Sequence, residues 1–204
     1  MFNFTTLARQ ALLAVALVVS SGTALAGPHY QVTIHTEGYS GESGLLDFAF
    51  ESNTDAPGAI ATLWNFTGDF GDEYDRSGDV TGDLAGGVTF TTGNLTNYLT
   101  HSLILGGDVM FDIIFSGDYE MIDSPTGSTF FVALYDAGMT EQLGAIVQFD
   151  LIPGFDGAAA SVLVAANADL ADVSEIPEPS QLLLMLSALA LAGFVGRRAR
   201  NQGA

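Results

Sequence analysis

The feature that most restricts how this chain can fold is a period of two in its apolar residues. Val109, Phe111, Ile113 and Phe115 occupy alternate positions, with Asp112 on the opposite side. Side chains alternate between faces along a β-strand, whereas helical neighbours recur every 3.6 residues, so the spacing predicts a strand with one buried face. The same alternation returns in Tyr30, Val32 and Ile34, in Leu46, Phe48 and Phe50, and in Ile60, Thr62, Trp64 and Phe66. It continues in Val88 and Phe90, in Leu103 and Leu105, and in Phe131, Ala133 and Tyr135. Ala145, Val147, Phe149 and Leu151 follow, then Val162 and Val164. Nine strands are expected. Within the third of them, Trp64 and Phe66 share the inward-reading face with Ile60, which points to core packing ahead of an exposed aromatic platform.

Glycine-rich breaks at 38–44, 68–87, 106–107, 117, 138 and 154–157 separate these segments, and glycine supplies the positive φ of tight hairpin turns. Alternation with one polar side disfavours a parallel sheet, whose strands are apolar throughout. No repeat of 20–50 residues points to a propeller or solenoid. The expectation is an all-β fold, a single antiparallel β-sandwich of jelly-roll type, over residues 27–173.

The two ends read as addresses rather than as structure. Arg9 precedes an apolar stretch from Ala11 to Val19, and Ala24-Leu25-Ala26 supplies the small-x-small pattern of a signal peptidase site, so residues 1–26 are expected to be removed before Gly27. About nine apolar residues are too few to span a bilayer, which takes ~20. At the other end, Pro177-Glu178-Pro179 interrupts regular structure. An uncharged apolar segment, 182–196, follows and leads to Arg197, Arg198 and Arg200. As a helix it would be about 22 Å long, short against a ~30 Å hydrocarbon core. Arginines beside such a segment mark the cytoplasmic side.

This order of Pro-Glu-Pro, apolar helix and arginine cluster resembles the PEP-CTERM sorting signal of Gram-negative bacteria. The resemblance covers residues 174–200 of the terminal segment 174–204, whose last four residues run past the arginines, and it includes no residue of the body. It implies processing by an exosortase, with Pro177, Glu178 and Pro179 as the recognition element. It also implies transient anchoring in the inner membrane through 182–196, then release to the cell surface or extracellular matrix. Hosts of this family typically make exopolysaccharide, which makes exopolysaccharide the expected partner. A plain single-span anchor is the other reading of the segment, since short helices are accommodated by local bilayer thinning.

Charge excludes other partners. All 24 acids lie between Gly27 and Ser180, where the one basic side chain other than histidine is Arg76. Such a body repels nucleic acid, whose binding needs lysine and arginine on the phosphates. With no cysteine in the chain, disulfides, thiolate metal sites and cysteine nucleophiles are excluded.

Catalytic spacing is missing as well. No G-x-S-x-G elbow, H-E-x-x-H helix or phosphate-cradling loop occurs. His29, His35 and His101 have no ligand spacing. The polar constellation that stands out is Asp69, Asp72, Asp75, Asp79 and Asp83, joined by Glu73, within the glycine-rich stretch 68–87. Carboxylates in a flexible loop are the donors that Ca²⁺ takes, although the EF-hand order is absent. A solvated acidic loop is the plainer reading, and calcium the one metal expected if any binds. The sequence therefore leads to an exported, non-enzymatic surface or matrix protein without a required cofactor. The alternatives are a calcium-dependent carbohydrate-binding module and, further off, a secreted hydrolase.

Overall fold

Twelve strands form across residues 27–176, the part of the chain that the computed structural model describes. They are His29–His35 (β1), Ser43–Ser52 (β2), Ala59–Thr67 (β3), Phe70–Ser77 (β4), Val80–Asp83 (β5) and Gly87–Thr91 (β6). Thr96–Ile104 (β7), Asp108–Gly117 (β8), Ser128–Asp136 (β9), Gln142–Ile152 (β10), Ser161–Ala166 (β11) and Ala171–Glu175 (β12) complete the set. Single 3-10 turns lie at Glu37–Tyr39 and Asp118–Glu120. Among the described residues no helix is long and apolar enough to cross a membrane. The expected signal peptide with Ala24 and Ala26, the motif Pro177 to Pro179, the segment 182–196 and Arg197, Arg198 and Arg200 lie outside the described residues.

Every strand pair is antiparallel. One sheet runs β12-β1-β8-β3-β6-β5 and the other β11-β10-β9-β2-β7-β4. The pairings β1 with β8, β2 with β7 and β3 with β6 are nested in sequence, which is the winding of a jelly roll. The expected all-β, antiparallel sandwich is what forms. Strands β9 to β11 extend the second sheet, and β12 returns to the free side of β1.

The core is aromatic. Phe48, Phe50, Phe90, Phe111, Phe115, Phe130 and Phe149 are fully buried. Phe115 lies 6.0 Å from Phe130 and 5.1 Å from Phe149, and Phe90 meets Phe130 edge to face at 5.4 Å. Offset and edge-on geometries of this kind add to simple area burial.

Four expectations change. Residues 60–66 form a strand, but its inward face is Ala59, Ala61 and Leu63, while Ile60 and Trp64 point outward. Phenylalanines from the neighbouring strands fill the space above β3, so its centre contributes small residues. Phe66 does turn inward, because an extra residue intervenes: Trp64 opposes Asp112 and Thr67 opposes Met110, three steps against two. That bulge is centred on Asn65, held at φ 55°. In β9 the buried face is likewise Phe130, Val132 and Leu134, with Phe131 and Tyr135 half-buried on the other side.

The third change concerns stretch 68–87, which is no loop: β4 and β5 occupy most of it. β4 edges one sheet beside β7 and β5 edges the other beside β6, so the chain crosses the open side of the sandwich at Gly78, φ 80°. Buried Asn97 secures that crossing, accepting from Asp79 N at 2.7 Å and donating to Phe50 O and Asn94 O. Finally, β12 runs past the expected boundary at 173, and the compact unit is Gly27–Ile176.

Candidate functional site

The bulge at Asn65 assembles a polar and aromatic group on the outer face of the β1-containing sheet. Gln31 of β1 and Trp64 of β3 flank Asp112 of β8 in register. Asp112 is only 5% exposed. Its Oδ1 accepts from Gln31 Nε2 at 3.2 Å and its Oδ2 from Asn65 Nδ2 at 2.7 Å. A buried carboxylate needs such partners, since desolvating an unpaired charge is costly. Left-handed backbone is uncommon for residues other than glycine, and asparagine is among those that tolerate it. Here it aims the amide at Asp112.

Trp64 lies against His29, with ring centroids 4.8 Å apart and planes inclined by 37°. His29 Nε2 is buried, makes no hydrogen bond and sits 3.9 Å from Asp112 Oδ2. On the β6 side the neighbour is Gly87, where even a β-carbon would stand 3.8 Å from Trp64 Cβ. Gly87 itself places no side chain over the indole. The result is a half-buried aromatic surface beside an orphaned imidazole nitrogen and a carboxylate with lone pairs to spare. A flat apolar surface flanked by a few fixed polar groups is how ligand sites combine affinity with orientation. Alternation alone places Trp64 in the core, whereas the folded strand turns it outward. The bulge that separates outward Trp64 from inward Phe66 carries no glycine or proline to announce it.

The acids singled out in 68–87 end up apart. Asp75 accepts from Tyr98 Oη at 2.9 Å and from Arg76 N, and Asp83 accepts from Gly86 N at 2.6 Å. Asp69 and Asp72 engage β7 only through their backbone carbonyls, from Ile104 N and Ser102 Oγ. Asp79 sits at the crossing beside Gly93. Arg76 forks onto both oxygens of Glu73, at 3.0 and 2.6 Å, and donates to Gly82 O, tying β4 to β5 across the edge. That guanidinium holds the Glu73 carboxyl below its ordinary pKa.

Elsewhere, His35 Nδ1 lies 2.8 Å from Asp108 Oδ1 and its Nε2 3.1 Å from Asp172 Oδ2. These bonds, Asp108 first, raise the imidazole pKa. Among the described residues, His35, Glu37 and Asp108 are the group of three whose ligand atoms come within 4.8 Å of one another. Both imidazole nitrogens are already engaged by carboxylates. The orphaned nitrogen beside Trp64, rather than this satisfied cluster, marks the candidate site.

Searches of the curated proteins and of the solved structures found no match to the chain. Residues 175–200, by contrast, match the family model of the PEP-CTERM protein-sorting motif. That motif implies processing by an exosortase and is consistent with export to the surface or extracellular space. The match begins at Glu175, the last residue of β12. The chain thus carries a PEP-CTERM sorting motif directly behind its last strand, consistent with a PEP-CTERM domain-containing protein.

Proposed function

We propose that the chain is the precursor of a non-enzymatic surface or matrix protein that is trimmed at both ends and associates with exopolysaccharide. The observation that carries this reading is the sorting motif abutting the last strand of an acidic β-sandwich. The absence of catalytic spacing and the resemblance of the C-terminal segment support it further. Mass spectrometry of the native protein tests the processing: an N-terminus at Gly27 and a C-terminus upstream of Leu182 are expected. An intact Arg197–Ala204 tail on the mature protein overturns the sorting.

A second reading, a carbohydrate-binding module, draws on the outward Trp64 and the polar groups beside it. An indole face packs against the C–H side of a sugar ring while Asp112 and His29 serve its hydroxyls. The five aspartates are not part of this face, and calcium-independent binding is the expected outcome of the test. A glycan array with and without EDTA, run on the wild type and Trp64→Ala, decides between the readings. Signal lost in the variant and unchanged by EDTA supports the module; equal signals from both proteins reject it.

A further inference from the structure

Both ends of the folded unit lie at one corner. Tyr30, near the start of β1, opposes Glu175, the end of β12, and Ile176 N donates to His29 O at 2.8 Å. A pocket of about 360 Å³ opens there, lined by Tyr30, Tyr119, Glu120, Ser161, Val162 and Glu175 among others.

Two groups in this pocket are left wanting. Tyr119 is 3% exposed and its hydroxyl has no partner. A buried hydroxyl without a hydrogen bond costs stability. Glu120 is half-buried, no cation among the described residues pairs with it, and burial raises its carboxyl pKa. Arg76, the sole arginine of the body, is committed to Glu73 at the opposite edge of the sheets. The site therefore asks for a donor with positive charge.

Gly27 stands next to it. The residue is buried, and a β-carbon there would collide with the Phe115 carbonyl and lie 3.0 Å from Glu120 Oε1. Only glycine fits, and its nitrogen is one bond from the same Cα. We propose that this corner is an ammonium-binding site whose occupant is the α-ammonium of Gly27, created by cleavage after Ala26. The inference rests on that cleavage, which belongs to the export reading. Within the precursor, the nitrogen of Gly27 is a neutral amide with one hydrogen. Hydrolysis of the Ala26–Gly27 bond leaves a carboxylate on Ala26 and an ammonium with three donors on Gly27. These donors serve a Glu120 oxygen and the Tyr119 oxygen, and the Tyr119 hydroxyl stays free to donate in turn. The ionisable groups lining the corner are Glu120 and Tyr119 of the 3-10 turn, Tyr30 of β1 and Glu175 of β12; the neighbouring Asp118 carboxylate lies towards Gly58 instead. β11 contributes only Ser161 and Val162. Leader removal would then tighten the corner from which both termini depart.

Among the described residues, Gly27–Ile176 is a compact unit of its own with one hydrophobic core, and that segment is the material for the test. It is released by a site-specific protease with Gly27 as first residue, and compared with the same chain acetylated on that nitrogen. An ordinary α-amine titrates near 7.7–8.0. With ¹⁵N-labelled Gly27, the amine is expected to titrate at least about one unit higher, the direction an adjacent carboxylate imposes. The free-amine chain is expected to melt above the acetylated one at neutral pH, and Glu120→Gln to close that gap. An amine with an ordinary pKa, or a gap unchanged in Glu120→Gln, overturns the site. N-terminal sequencing of the exported protein reads the cleavage separately, and a first residue other than Gly27 overturns the occupant.

Discussion

The side-chain amide of Asn65, a residue with φ 55°, donates to Asp112 Oδ2 at 2.7 Å and so holds a nearly buried carboxylate on the outside of a sheet. Replacements at this position separate the bond from the backbone. Asn65→Gly keeps the left-handed conformation and loses the bond, at an expected ~1.5–3 kcal/mol for a hydrogen bond to a charged group. Asn65→Ala adds the penalty for a β-carbon in left-handed backbone, about 1–2 kcal/mol more. Urea denaturation should rank wild type above Gly above Ala. The reverse order of the two variants would show that the bulge is not held as described.

The outer and inner aromatics should differ sharply in what they contribute. Phe111 is fully buried, with its ring 5.4 Å from Phe48 and 6.0 Å from Phe66. Phe111→Ala is expected to cost ~3–5 kcal/mol through lost transfer energy and a residual cavity. Trp64→Ala removes a half-buried ring from the outer face and should cost clearly less. Equal losses in thermal unfolding would place Trp64 in the core after all.

Histidine 35 gives the fold a pH dependence with a defined sign. Its pKa is raised in the folded protein by Asp108 and then Asp172, with Glu37 also close by. A raised folded value means that the stabilisation is complete below the unfolded pKa, near 6.5, and fades as pH rises through the folded value. The difference in urea midpoint between wild type and His35→Gln should therefore be larger at pH about 6 than at pH about 9. A difference that grows with pH would contradict the bonding pattern.

Calcium should act on this protein mainly as an ionic atmosphere. Asp72, Asp75 and Asp83 lie on edge strands of two different sheets, Asp79 in the turn between them and Asp69 in the turn before β4. A specific site filled at 100 times its Kd would contribute about 2.7 kcal/mol, several degrees in Tm for a domain of this size. Comparable small shifts from Ca²⁺ and Mg²⁺ at equal ionic strength are expected instead. A saturable, calcium-selective rise that vanishes in Asp75→Asn, Asp79→Asn would establish a site the folded geometry does not gather.

The amino-acid sequence by itself determined the class of fold, the absence of helices from the body and the sorting motif, because each is written in local order. Period-two alternation in Val109 to Phe115 requires no knowledge of partners, nor does the succession Pro177-Glu178-Pro179, apolar run, arginines. The tertiary structure decided which face of a strand is inside. In β9 both faces are apolar, and in β3 Ile60 and Trp64 outweigh Ala59 and Ala61, so local hydrophobicity chose the wrong side; the volume left by phenylalanines on other strands chose the right one. It also decided that an acidic stretch is a strand. β4 buries almost nothing of its own and exists through backbone hydrogen bonds to β7, energy that no side-chain pattern within 70–77 can express. The candidate face and the Gly27 corner have the same origin. Asp112 meets Asn65, and Glu120 meets Gly27, only because strands distant in sequence are brought side by side.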